Sequence, residues 1–286
     1  MQTHIADQAA KLRQPATPAP RTWTLAVTSG KGGVGKTSVA LNLALTWAQA
    51  GQRTCLLDGD LGLANVDVLL NLHPRASLRE VVAGTKTLPE VVMDGPAGLR
   101  VIPAASGIEA LANLAGPARR ALLQSLQALG GLGDVTVLDT GAGISQTVLS
   151  LVLAADEALL VTTPEPTALT DAYAMLKVLT QRRRQLPVQL AVNLVDHVGQ
   201  AHEIHGHLDR IARRFLQREV PLAGWIPRDG CVERAVREQR PLSLYFPYAR
   251  ATEAIRRLSW GLAARRAAPG APGEFWTRLA ASPEAL

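Results

Sequence analysis

TWTLAVTSGKGGVGKTSVALNLALTWAQAG, residues 22–51, decides the fold. Its first eight residues form an apolar, Thr- and Val-containing run that predicts a strand. From Thr37 onward, Val39, Leu43 and Trp47 recur at four-residue spacing, which predicts a helix ending at Gly51. Between the two, Gly30-Lys31-Gly32-Gly33-Val34-Gly35-Lys36-Thr37 satisfies the pattern G-x-x-x-x-G-K-[ST] in the strand-to-helix setting it requires. Glycines there let backbone N–H groups curl round phosphates at a helix N-terminus, where unpaired donors and the helix dipole favour negative charge. Lys36 is placed to reach β- and γ-phosphates, and the Thr37 hydroxyl suits Mg²⁺. The expected nucleotide-binding set is Gly30 to Thr37 together with Ser38. A plain glycine turn with incidental lysines would not need this flanking order.

Outward from the loop, the pattern repeats. Strands are expected near Arg53–Leu57, Leu99–Ile102, Asp134–Leu138, Ala158–Val161, Val188–Asn193 and Ala223–Ile226, with helical segments between most of them. Alternating strands and helices predict an α/β fold, a single three-layer domain with a mostly parallel twisted sheet covered on both faces. Residues 1–21, with a short helical pattern and the proline-rich tail QPATPAPR, read as a flexible arm and linker. The main domain is expected over 22–250, and 251–286 as a C-terminal helical appendage.

Two further segments end in carboxylates. Leu56-Leu57-Asp58-Gly59-Asp60 and Val135-Thr136-Val137-Leu138-Asp139 each read as a strand delivering acids to its C-terminal end, where open α/β sheets bind ligands. The turn after Asp139, TGAGIS, is flexible enough to sense a terminal phosphate. A helix cap or a solvated loop acid is the simpler alternative for Asp58 and Asp60.

Composition narrows the classes. Lys and Arg number 30 against 24 Asp and Glu, a formal charge of +6, which suits nucleic acid, anionic lipid or an acidic partner without choosing among them. Aromatics are 4% of residues and nowhere interleave with basic side chains as a stacking surface would, so direct DNA binding is disfavoured. No apolar run approaches the roughly 18 to 20 residues of a membrane span, and the start lacks the order of a secretory signal, which together predict a cytoplasmic protein. Two cysteines, Cys55 and Cys231, make no disulfide framework, and both are expected as thiols.

SGKGGVGKT with Lys31 beside the first glycine, the D-x-D at Asp58 and Asp60, and the strand-end Asp139 together resemble the deviant Walker A ATPases, the family of MinD, ParA and the nitrogenase iron protein. The resemblance implies a MinD/ParA-like P-loop NTPase fold, ATP/ADP and Mg²⁺ as cofactors, slow hydrolysis, and a homodimer formed on ATP binding. Carried over by motif position, Lys31 reaches the partner subunit's nucleotide and acts with Lys36 in catalysis. Asp60 orients the attacking water. Asp58 holds magnesium-bound water or Lys31, and Asp139 completes a metal shell with Thr37. Asn193 resembles the adenine-contacting asparagine of the family, with Pro227 and Asp229 of the IPRD segment as the opposite wall. DGDLGLANVDVLLNL, PRASLREVVAG and GLRVIPAASGIEALANL bring the match closest to the FlhG/FleN branch of flagellar-number regulators. Gly59 and Gly141 stand where that branch leads one to expect alanine, departures that leave the carboxylates in place.

In the arm, Asp7, Gln8, Ala9, Leu12 and Arg13 match the D-Q-A-x-x-L-R segment through which that branch stimulates the GTPase FlhF, implying an FlhF-like GTPase as partner. A flagellar transcription regulator or a basal-body component is implied as a further partner. Seven residues form too short a helix to be stable alone, so folding on a partner is physically sensible; an idle tail is the alternative. Near the C-terminus, Ile255, Leu258 and Leu262 share a helical face beside Arg256, Arg257, Arg265 and Arg266, which suits either an anionic membrane surface or packing on the domain. EFWTRLA, with Phe275, Trp276 and Leu279, carries the same two readings, and the lipid reading adds reversible association with the inner membrane at the cell pole. His202 to His207 is not H-E-x-x-H and reads as a solvated helix face. Rival readings are a ParA-like partitioner of DNA, cargo or division site, a reductase, for which the paired cysteines are missing, and a binding module with a degenerate site.

Overall fold

The computed structural model describes residues 22–60, 66–103, 133–266 and 274–281. The arm residues Asp7 to Arg13 lie outside the described residues.

In chain order the elements are β1 (Trp23–Ser29), α1 (Lys36–Gln49), β2 (Thr54–Gly59), α2 (Val66–Leu70), α3 (Leu78–Val82), β3 (Met93–Asp94), β4 (Arg100–Ile102), β5 (Val135–Ala142), α4 (Gln146–Ala154), β6 (Glu157–Thr162), α5 (Pro166–Arg182), β7 (Val188–Val195), α6 (Val198–Leu216), β8 (Leu222–Pro227), α7 (Gly230–Arg237), α8 (Leu242–Tyr245), α9 (Arg250–Ala264) and α10 (Glu274–Ala281). The strands form one eight-stranded sheet in the order β3-β4-β2-β5-β1-β6-β7-β8. Every pairing is parallel except β3 with β4. The expected strands are all present. The two-residue edge strand β3 was not anticipated, because two residues carry no period for a pattern to reveal.

Strands buried on both faces need apolar side chains on both, which is why β1, β2 and β6 read as nearly unbroken apolar runs. Within β1 the faces alternate: Ala26 joins one core, Leu25 and Val27 the other. The first core lies under α4, α5, α6 and α10, the second under α1, α7, α8 and α9. Trp23 and Trp47 meet edge to face in the second, with centroids 5.6 Å apart.

The two C-terminal helices are settled by packing. Ile255, Leu258 and Leu262 of α9 are buried in the second core against β8 and α1; Arg257 and Arg265 are exposed, while Arg266 stacks over Trp23 and donates to Asp134 O. That face is therefore not presented to lipid, and α9 belongs to the packed layer, so a domain boundary at 250 cuts through the core. Phe275, Trp276 and Leu279 of α10 are buried against α4. Arg278 fastens the helix, pairing with the Asp156 carboxylate and donating from Nε to Ala154 O at 2.7 Å. Eight residues do not hold a helix in water by themselves, so α10 depends on this docking. No helix among the described residues is long and apolar enough to cross a membrane.

Candidate functional site

β1 lies at the centre of the sheet, and the chain leaves its C-terminal end into the glycine loop. Each glycine that matters has a local cause. Gly33 and Gly35 have φ of +81° and +85°, left-handed conformations that disfavour other residues. A β-carbon on Gly30 would stand 2.1 Å from Asp171 O, so α5 permits no side chain there. Gly35 opens α1 without any side-chain cap, and no acid occupies the first turn. The donors at that helix start are left to an external anion.

Register assembles the carboxylates. Asp139 of β5 pairs in the sheet with Val27 of β1 on one side and Asp58 of β2 on the other, so both acids stand level beside the base of the loop. Asp139 is fully buried, and neither carboxylate oxygen has a hydrogen-bond partner. Lys36 Nζ stands 3.7 Å from Asp139 Oδ1. Burial pushes the Asp139 carboxyl up to about 6, reinforced by Asp60 and opposed by the Lys36 charge and the Thr37 hydroxyl. A buried carboxylate with unused oxygens next to a threonine hydroxyl is a donor set that fits a hard, oxygen-seeking cation such as Mg²⁺. Asp58, also buried, accepts from Asp60 N at 3.1 Å and Val66 N at 3.3 Å, bracing the turn that carries Asp60. Asp60 is half-buried and faces Gly141.

Three residues are held by contacts within the chain. Lys31 folds back on its own chain, donating to Glu165 Oε2 at 2.6 Å and Thr167 Oγ1 at 2.9 Å. The Lys31 hydrogen bond and charge, aided by Arg228, hold the Glu165 carboxyl below its ordinary range. Asn193, expected at the base, donates from Nδ2 to Val34 O at 2.8 Å and so braces the loop itself. Asp229 caps α7 through Cys231 N and accepts Ala251 N from α9; those bonds outweigh burial and keep its carboxyl low. Both Asp229 oxygens thus clasp two helices together. Pro227 is buried at the end of β8, paired with Val195. The sequence signal missed was at Glu165 and Thr167, which follow β6 in TTPEPT just as the loop follows β1.

Gly59 and Gly141 both lie close against α4. β-Carbons there would stand 2.8 Å from Leu151 Cδ1 and 3.1 Å from Val148 Cγ2. Elsewhere, His205 Nε2 lies 2.8 Å from Val220 O, and no group of three His, Cys, Asp or Glu converges among the described residues. Cys55 is buried, which pushes its thiol up to about 12; Cys231 lies in the first turn of α7.

A family model described as ParA, NUBPL iron-transfer P-loop NTPase, matches residues 22–262. This chain is a ParA-family P-loop NTPase. Among relatives of this ParA-family chain, the antiactivator FleN of Pseudomonas aeruginosa is 41% identical over 245 residues, covering 84% of this chain and 88% of FleN. The flagellum site-determining protein YlxH of Helicobacter pylori is 34% identical over 226 residues, 78% of this chain and 76% of YlxH. The septum site-determining protein MinD from Pyrococcus horikoshii, solved in complex with Mg-ADP, superposes with a TM-score of 0.67 at 26% identity, covering 83% of this chain and 94% of that one. The three-layer fold and the ATPase class expected from the loop are those of the family.

Proposed function

We propose that this ATPase is a MinD-type switch that sets flagellar number and placement. The observation that carries the nucleotide half is the Lys36–Asp139 pair, with Asp58 in register beside it; the flagellar half rests on the likeness to FleN and YlxH. ATP and Mg²⁺ are the ligands of the loop. Gly30 to Ser38 cradle the phosphates, and Lys36 neutralises charge between β- and γ-oxygens. Thr37 and Asp139 hold the metal side of the site, and Asp58 keeps the Asp60 turn in place. Mg²⁺ held by Thr37 and Asp139 would supply charge neutralisation to the phosphates. Asp60 orients the attacking water.

On ATP binding, Lys31 exchanges Glu165 and Thr167 for the nucleotide of a second copy, forming the homodimer. The dimer acts on an FlhF-like GTPase through Asp7 to Arg13, and a flagellar transcription regulator or basal-body component reads the same state. Lipid contact runs through the docked helix α10, whose Phe275, Trp276 and Leu279 supply an apolar face once released. In the cell this corresponds to a cytoplasmic pool exchanging with the inner membrane at the pole.

Light scattering with Mg-ATP is the first test: wild type shifts to dimer, Lys31→Ala stays monomeric, and Lys36→Ala binds no ATP. A dimerising Lys31→Ala would refute the switch. Pull-down of an FlhF-like GTPase with and without residues 1–21 tests the partner; retention after deletion would remove the arm's role.

A further inference from the structure

Both glycines that depart from the resemblance contact the same helix, one turn apart. A β-carbon on Gly141 would stand 3.1 Å from Val148 Cγ2 and 3.7 Å from Asp60 Oδ1, so Gly141 is the thin layer between Asp60 and α4. A β-carbon on Gly59 would stand 2.8 Å from Leu151 Cδ1 and 3.0 Å from Asp139 O, so Gly59 is the thin layer between β5 and the next turn of α4. At 2.8 Å Leu151 must shift, and at 3.1 Å Val148 must give by a few tenths of an ångström; packed interiors answer an added methyl by such movements. Val148 and Leu151 are themselves buried, at 6% and 0% exposure, and have nowhere to retreat but into the first core.

The far side of α4 holds α10. Phe275, Trp276 and Leu279 share a core with Val148, Leu149, Leu151 and Val152. Arg278 donates to Ala154 O at the last residue of α4, while Ser145, in the turn that follows Asp139, caps its first. The helix is held at one end by the turn after Asp139 and at the other by the C-terminal helix. Its middle rests on the two residues adjoining the catalytic carboxylates.

We infer that Val148 and Leu151 are positioning residues for Asp60 and Asp139, and that docking of α10 sets the rate of hydrolysis through them. The inference rests on the ATPase reading and adds a coupling to it. Closing of the Asp60 and Gly141 segments on a terminal phosphate moves Val148, and α4 carries that movement to Arg278. By linkage the coupling runs both ways: whatever holds or frees α10 changes the carboxylates. A misplacement of about 1 Å at a reacting group costs up to roughly a hundredfold in rate, so a small tilt of α4 suffices.

The test uses the full chain, with steady-state phosphate release and amide exchange over residues 274–281. Gly141→Ala pushes a methyl between Asp60 and Val148. It is expected to lower kcat about tenfold while KM for ATP stays within about twofold, and to speed exchange in α10. Adding Val148→Ala to Gly141→Ala reopens the space and restores kcat and protection. Arg278→Ala, which touches nothing at the site, changes kcat in the wild-type background and has a smaller effect when Gly141→Ala is present. Should Gly141→Ala fail to fold, Val148→Ala and Arg278→Ala alone carry the test, both shifting kcat without KM. The inference is overturned if Arg278→Ala leaves kcat unchanged, or if the double variant is no faster than Gly141→Ala. Failure of the wild-type chain to bind Mg-ATP would instead overturn the nucleotide reading.

Discussion

Lys31 Nζ lies 2.6 Å from Glu165 Oε2 within one chain, so the lysine that distinguishes this loop is held in cis. Both side chains are substantially exposed, at 36% and 63%, which makes the pair weak and exchangeable. Glu165→Gln keeps the shape and removes the charge. It is expected to lower the protein concentration needed for ATP-dependent dimerisation by roughly twofold to fivefold. Light scattering across a dilution series in low salt measures this, and the gain should shrink at high salt. An unchanged or higher midpoint concentration would mean that Glu165 does not restrain Lys31.

Asp139, pushed up to about 6, dictates a pH dependence. Its folded value lies above the unfolded one, so protonation favours the fold, and this contribution is lost as pH rises from near 4 through about 6. Asp139→Asn mimics the protonated form. Its stability relative to wild type should grow across that window by on the order of 1 to 3 kcal/mol, read from urea midpoints in the absence of nucleotide. Mg²⁺ beside Asp139 would hold the carboxylate ionised during hydrolysis, so Asp139→Asn should be inactive throughout.

Asn193 donates to Val34 O across 159 residues of sequence. Asn193→Ala leaves that carbonyl unpaired and is expected to cost about 1 to 3 kcal/mol in urea unfolding and to weaken ATP binding. Asn193→Asp should be worse for ATP, since an acceptor would face an acceptor. ATP affinity unchanged in both variants would show that the loop does not depend on this brace.

Arg278 secures α10 through Asp156, a buried carboxylate that also accepts Thr24 N at 2.9 Å. Arg278→Ala leaves Phe275, Trp276 and Leu279 intact while removing the fastener. Co-sedimentation with phosphatidylglycerol vesicles should then appear without ATP, where wild type requires it. Arg278→Ala paired with Trp276→Ser should lose it again. Vesicle binding indifferent to both changes would place lipid contact elsewhere or nowhere.

Much of this was legible before any coordinates. The G-x-x-x-x-G-K-[ST] spacing, the four-residue period of Val39, Leu43 and Trp47, and the strand-end positions of Asp58 and Asp139 are local patterns. The physics that reads them is local too: left-handed backbone at Gly33 and Gly35, one buried helix face, alternating strand faces. Such patterns determined the loop, the order of the main strands and helices, and the strand ends from which the acids leave.

What the sequence could not determine depends on distant segments meeting. Nothing in the sequence near Asn193 shows that Val34 O accepts from it. Nothing near Asp229 in the sequence shows that α9 brings Ala251 N to its second oxygen. The apolar faces of α9 and α10 fitted lipid and core equally, because periodicity says that a face is apolar and not what covers it. That Gly59 and Gly141 lie against α4 is likewise visible only once that helix is seated. Local spacing therefore determined the chemistry this chain carries, and tertiary packing alone decided which partner each side chain holds.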